Sequence, residues 1–143
     1  MNSDVSDDLL NALENETNSP IMNLTTRKIK EHKNNALQQL QIKGTELKKF
    51  HKKLNNYRYV RGMHDLQFGN YIRWIPLKHP GKIYLTNGGH ICDIKIINHQ
   101  IQILCKNSYH CLFQIKFDES IIFQKITPQE DVILQILDYL DPK

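Results

Sequence analysis

Long apolar runs are missing from this chain. None approaches the roughly 18 residues that carry a helix across a bilayer, and the N-terminus is acidic where a signal peptide needs positive charge ahead of a hydrophobic core. The expectation is an intracellular protein with no membrane partner, in which the sequons Asn15-Glu16-Thr17 and Asn23-Leu24-Thr25 carry no glycan. Cysteine is sparse as well. Cys92, Cys105 and Cys111 are the only three, and no Cys-x-x-Cys pair occurs among them, which argues against a zinc knuckle and for buried thiols rather than a disulfide. His90-x-Cys92 would set two ligands on one strand face in poor tetrahedral geometry, so no metal is assigned. His110 and Cys111 are neighbours and point to opposite faces of a strand, which does not pair a thiol with its base. Gly88-Gly89 lacks the glycine spacing and the following Lys-Ser or Lys-Thr of a phosphate loop. The chain is therefore not read as an enzyme: no catalytic residue, no cofactor and no small-molecule substrate is assigned.

What is present is alternation. Cys92, Ile94 and Ile96 alternate with Asp93 and Lys95; Ile101, Ile103 and Cys105 with Gln102; Phe113, Ile115 and Phe117 with Gln114 and Lys116. A side-chain period of two puts one face into a core and leaves the other wet. The short polar stretches Asn98-His99-Gln100 and 106–110 read as hairpin connections. A strand from Gly69 to Pro76 and a last one at 121–126 bring the number to five, the Cys92 run being the second half of a long strand that starts near Ile83. The reading is an α+β protein: a small five-stranded antiparallel β-barrel with a long N-terminal helix before it and a C-terminal capping helix after it. Gly88-Gly89 is the expected bend. Ile94, Ile96, Ile103, Phe113 and Ile115 are expected to share one core, with Phe113→Ala costing about 3–5 kcal/mol.

In strand number and spacing the stretch resembles SH3-like and Tudor-like barrels. Gly69-x-Tyr71-Ile72-Arg73-Trp74, Gly88-Gly89 and Ile121-Ile122-Phe123-Gln124-Lys125 together resemble small uncharacterised proteins of nucleocytoplasmic large DNA viruses, over about residues 67–126. That resemblance implies no active site, and a location in host cytoplasm or virion. The Tudor likeness implies an aromatic cage for methylated lysine or arginine, against which Phe68, Tyr71, Trp74 and Tyr84 also suit simple core packing.

Charge divides the chain. Residues 1–20 hold five acids and no base, residues 21–61 eleven bases and two acids, and acids outnumber bases again after 126. We read 1–20 as an acidic flexible segment, 21–61 as a basic helical arm, and 62–143 as the barrel with its C-terminal helix. Deletion of 1–20 is expected to leave the thermal midpoint nearly unchanged. From Leu24 to Leu54 no proline interrupts a stripe of Ile29, Ala36, Leu37, Leu40, Leu47, Phe50 and Leu54, which predicts one long helix and permits a short coiled coil. Thr127, Pro128 and Glu130 form a capping box ahead of the apolar face Val132, Ile133, Ile136, Leu137 and Leu140.

Two functions fit. The first is a non-catalytic module that binds nucleic acid through Lys48, Lys49, Lys52, Lys53, Arg58 and Arg61, with Tyr57 and Tyr59 stacking on bases. The same junction equally suits a strand in which Tyr57 and Tyr59 pack while Arg58 and Arg61 face water. The second is an assembly component, viral structural or scaffold-like, that forms a homodimer or docks a protein partner through residues 24–54.

Overall fold

The structure is a computed structural model that describes residues 10–12, 21–79 and 81–141. The arm is not one long helix but two: α1, Thr26–Gln38, and α2, Gly44–Lys53. Helix α1 closes with short-range bonds from Leu40 N to Leu37 O and from Gln41 N to Gln38 O, and Gln41 then takes a left-handed conformation at φ 52°. Gly44 opens α2 immediately afterwards. Between the helices Leu40 and Ile42 pack into the same cluster as Leu37, Phe50 and Leu54, so the break folds both halves of the stripe onto one core. Tertiary burial thus outweighs the modest helix propensity of an uninterrupted stretch. The heptad seam is consumed inside the chain: Ile29, Ala36, Leu37, Phe50 and Leu54 are all buried, which leaves no stripe for a coiled coil. Lys33 lies within that stripe. Its Nζ donates to the Leu54 carbonyl at 2.9 Å, meeting the negative end of α2, and burial pulls its pKa down.

Six antiparallel strands form the sheet, rather than five in a barrel: β1, Tyr57–Tyr59; β2, Tyr71–Pro76; β3, Gly89–Ile97; β4, Gln100–Lys106; β5, Leu112–Lys116; and β6, Ser120–Lys125, in the spatial order β1-β6-β2-β3-β4-β5. The sheet is open. No ladder joins β5 to β1, and the stretch expected as a strand from Ile83 runs beside β2 with little regular pairing. There Thr86 N donates to Trp74 O, and Trp74 N to Thr86 Oγ1. Strand β3 begins only after Gly88, whose φ is +89° and where a Cβ would stand 2.2 Å from Ile72 O. No side chain fits that approach.

Register explains which expectations hold inside the sheet. Trp74 faces Ile122, and Ile75 faces Ile121, so adjacent residues feed opposite layers. One layer holds Val60, Ile72, Trp74, Ile91, Ile103, Cys105 and Ile122. The other joins Ile75, Ile121 and Phe123 to the arm helices. In β3 a bulge between Ile91 and Asp93 turns Cys92 outward and resets the phase. Ile94 still faces Ile103, but Ile96, near the tip of the Asn98-His99 hairpin, is 63% exposed. Phe113 faces Cys105 as the alternation requires, yet it is 44% exposed because the curl of the sheet stops short of closing over it.

The C-terminal helix α3, Pro128–Leu140, carries the expected capping box. It covers the start of the arm: Ile133 and Leu134 cluster with Ile21, Leu24, Ile29 and Ala12. Asp138 accepts from Thr26 N at 2.7 Å, placing a carboxylate at the positive end of α1. Ala12 is fully buried in this cluster, so the segment read as loosely attached is anchored at that point. Val5, Leu9 and Leu13 of the same segment lie outside the described residues.

Arg58 corrects the largest expectation about the junction. Tyr57 and Tyr59 do pack, on the side of Phe123, but the alternate face occupied by Arg58 is not wet. Its guanidinium is 1% exposed, lies 3.6 Å from Asp65 and 3.3 Å from Glu130, and donates to the Asp65 carbonyl at 3.1 Å. Removing one member of a buried charge group strands the others. Arg58→Met should therefore lower stability by about 3–5 kcal/mol in urea unfolding, and a loss under about 1 kcal/mol would contradict the network. In the same assay Phe123→Ala, at a fully buried site, should cost about 3–5 kcal/mol, and Phe113→Ala clearly less.

Candidate nucleic-acid interface

Helix α2 has a dry side and a wet side. Phe50 is buried and Leu47 half-buried against the sheet, while Lys48, Lys49, Lys52 and Lys53 are all exposed. Their spacing puts Lys48 with Lys52 and Lys49 with Lys53, each one turn apart. Among the described residues the only carboxylate paired with any of them is Glu46, 3.7 Å from Lys49. Four cations thus crowd two turns, and like charges at this spacing repel. The last turn, with His51, Lys52 and Lys53, lies where the helix dipole favours positive charge.

Arg61 is exposed, with its backbone N–H held by Asp65 Oδ2 at 3.0 Å. It is near enough to α1 to help lower the pKa of His32, after the larger effect of burial. His51 is lowered too, by burial and then by Lys33. Both imidazoles are therefore neutral at pH 7, and each would add a cation beside the arm only below the usual histidine range. Of the six cationic residues assigned from the sequence, five are placed on the surface and Arg58 is not. Tyr57 and Tyr59 are half-buried in the core beneath the arm, and burial raises the Tyr57 pKa. They are packing residues in this arrangement, with no open ring face assigned to a base.

The exposed aromatic surface lies elsewhere. A cleft of about 590 Å³ opens between the segment beside β2 and the β4–β5 hairpin. Residues 84–88 form one wall, and residues 107–109 and 113–115 the other. Trp74 joins the two, since its backbone is bonded to Thr86 and its ring meets Phe113 at 6.5 Å. Tyr71 and Tyr84 line the cleft with Tyr109, whereas Phe68 stands apart and 64% exposed. No carboxylate is among the lining residues, which does not fit a methyl-lysine cage. The cleft depends on how the β4–β5 hairpin curls toward residues 84–88, and alternation alone does not reveal how far a sheet curls.

The residues with metal-ligating or nucleophilic atoms stay apart. Cys105 is buried, while Cys92, Cys111, His90 and His110 are exposed; among the described residues no group of three or more His, Cys, Asp or Glu converges. No helix among them is long and apolar enough to cross a membrane. No family model, no curated protein and no solved structure matches the chain.

Burial, with a smaller contribution from Cys92, pushes the Cys105 thiol from 9.0 up to about 12. The folded state keeps a proton that the unfolded chain releases, so the associated stability is complete below pH 9 and lost as pH rises toward 12. A thiol reagent at pH 8 should label Cys92 and Cys111 in the native protein and Cys105 only after unfolding. Equal rates at all three would contradict the burial.

Proposed function

We propose that the protein is a non-catalytic module that binds nucleic acid through the exposed lysine face of α2. The observation that carries this reading is the exposed cluster of Lys48, Lys49, Lys52 and Lys53, offset by a single carboxylate, Glu46, on a helix whose other side is fixed to the sheet. A polyphosphate relieves the mutual repulsion of these lysines and releases its own condensed counterions. Arg61 adds an exposed cation near α1, and Arg58 has no part in direct contact. Backbone contacts of this kind carry no sequence preference.

Affinity for a single-stranded oligonucleotide, followed by fluorescence anisotropy, should fall steeply with salt. The logarithmic slope is about 0.7 per phosphate contact, so replacing the four lysines with glutamine should flatten it by roughly two to three. The fold should survive, because none of the four is buried. Absence of binding to single- or double-stranded nucleic acid even at low salt would overturn the reading.

A second reading, assembly through a protein partner, is favoured by α3 rather than by the arm. Ile136, Tyr139 and Leu140 are 44%, 88% and 68% exposed on adjacent turns. A dimer formed there would give twice the chain mass in light scattering and revert to monomer in Leu140→Lys.

A further inference from the structure

We propose that the cleft between residues 84–88 and the β4–β5 hairpin is a stacking site for an unpaired nucleobase of the strand held by α2. The inference rests on the nucleic-acid reading and assigns it a second, chemically distinct contact. Aromatic rings stand on both walls, Tyr84 on one and Tyr109 and Phe113 on the other, with Trp74 between them. Tyr84, Tyr109 and Phe113 are 39%, 83% and 44% exposed, so each presents ring surface that a planar guest can reach. Stacking on such rings tolerates any base.

One polar group of the cleft suits a base edge. Asn107 Oδ1 already accepts from Tyr109 N and from Cys111 N, each at 2.9 Å, which leaves its amide N–H groups to donate to an acceptor on a base. No charged side chain lines the cleft, so a cationic or anionic guest finds no partner inside it. Charge waits at the rim instead. Lys82 Nζ lies over one face of the Tyr84 ring, 5.3 Å from its centroid, which leaves the other face for a base and sets a cation close to the phosphate of a nucleotide stacked there.

Alternation ties the cleft to the lysine helix. In the segment 82–86, Ile83 and Leu85 turn into the cluster that contains Leu47 and Phe50 of α2, while Tyr84 serves the cleft. The same short segment therefore braces the helix that presents the lysines and the ring that receives the base. A volume of about 590 Å³ is within the usual range for a small-molecule site.

Trp74 is the chain's single tryptophan and reports on the site directly. The test is titration of the full chain with a thymidine 12-mer and with an abasic phosphodiester of equal length, read by tryptophan fluorescence and by anisotropy. The thymidine strand should change Trp74 emission and bind at least about five-fold more tightly than the abasic one, the lower end of what one stacked base contributes. Tyr84→Ala and Tyr109→Ala should each remove most of that difference and leave the abasic affinity and its salt slope unchanged. Equal affinity for both strands, unaffected by either substitution, would overturn the cleft inference while leaving the lysine face intact. Binding of neither strand would overturn the nucleic-acid reading and the inference together. Tighter occupation of the cleft by a proline- or aromatic-rich peptide than by the thymidine strand would make it a peptide groove and refute the proposal.

Discussion

The buried guanidinium of Arg58 is the constraint from which the rest of the arrangement follows. It ties strand β1 to the nearby turn at Asp65 and to the first turn of α3 at Glu130, 72 residues away. Glu130 has a second duty, since its Oε1 accepts from Thr127 N in the capping box. The side chain that starts α3 is thus also the one that docks it. Once docked, α3 closes the cluster around Ile21, Leu24 and Ile29 and places Asp138 at the start of α1. Helix α1 then holds α2 through Ala36, Leu37 and Lys33, which leaves the lysines of α2 no side to face but solvent. A buried charge group of this sort is weak evidence for stability as such, and its value lies in excluding other ways of assembling the same pieces.

Local signals were readable wherever a residue type has one dominant physical reason to be there. The capping box at Thr127 and Glu130, the pairing of the central strands, and the packing of Tyr57 and Tyr59 all follow from short-range rules. The failures are long-range. Alternation placed Arg58 opposite the two tyrosines, but whether that opposite face is wet depends on Asp65 and on Glu130, which is 72 residues away. The arm broke at Gln41 because Leu37 and Phe50 meet in one cluster on the sheet, a gain that no window of helical periodicity contains. Phe113 has the expected phase and the wrong burial for a related reason. Strand count suggested closure, whereas residues 82–88 take the space beside β2 without completing a ladder, and the resulting gap exposes the ring.

In the proposed reading, the cleft and the lysine helix would divide the work of recognition. The helix offers charge without aromatic faces, and the cleft offers aromatic faces without charge. Long-range attraction to a polyanion falls off over about 10 Å at ordinary salt, so the lysines would govern encounter, and short-range stacking would govern residence. Residue 58 illustrates how counting charge overstates such a surface. An arginine compensated inside the fold contributes to the formal net charge of +4 and nothing to the field that a partner meets.

The most direct measurement is a titration of the isotopically labelled protein with a short single strand, followed by amide chemical shifts. The account predicts perturbations over residues 44–53 and around Arg61, continuing into 82–88 and 107–113, with α3 silent. Perturbations concentrated at Ile136, Tyr139 and Leu140, or no change at all at low salt, would contradict it.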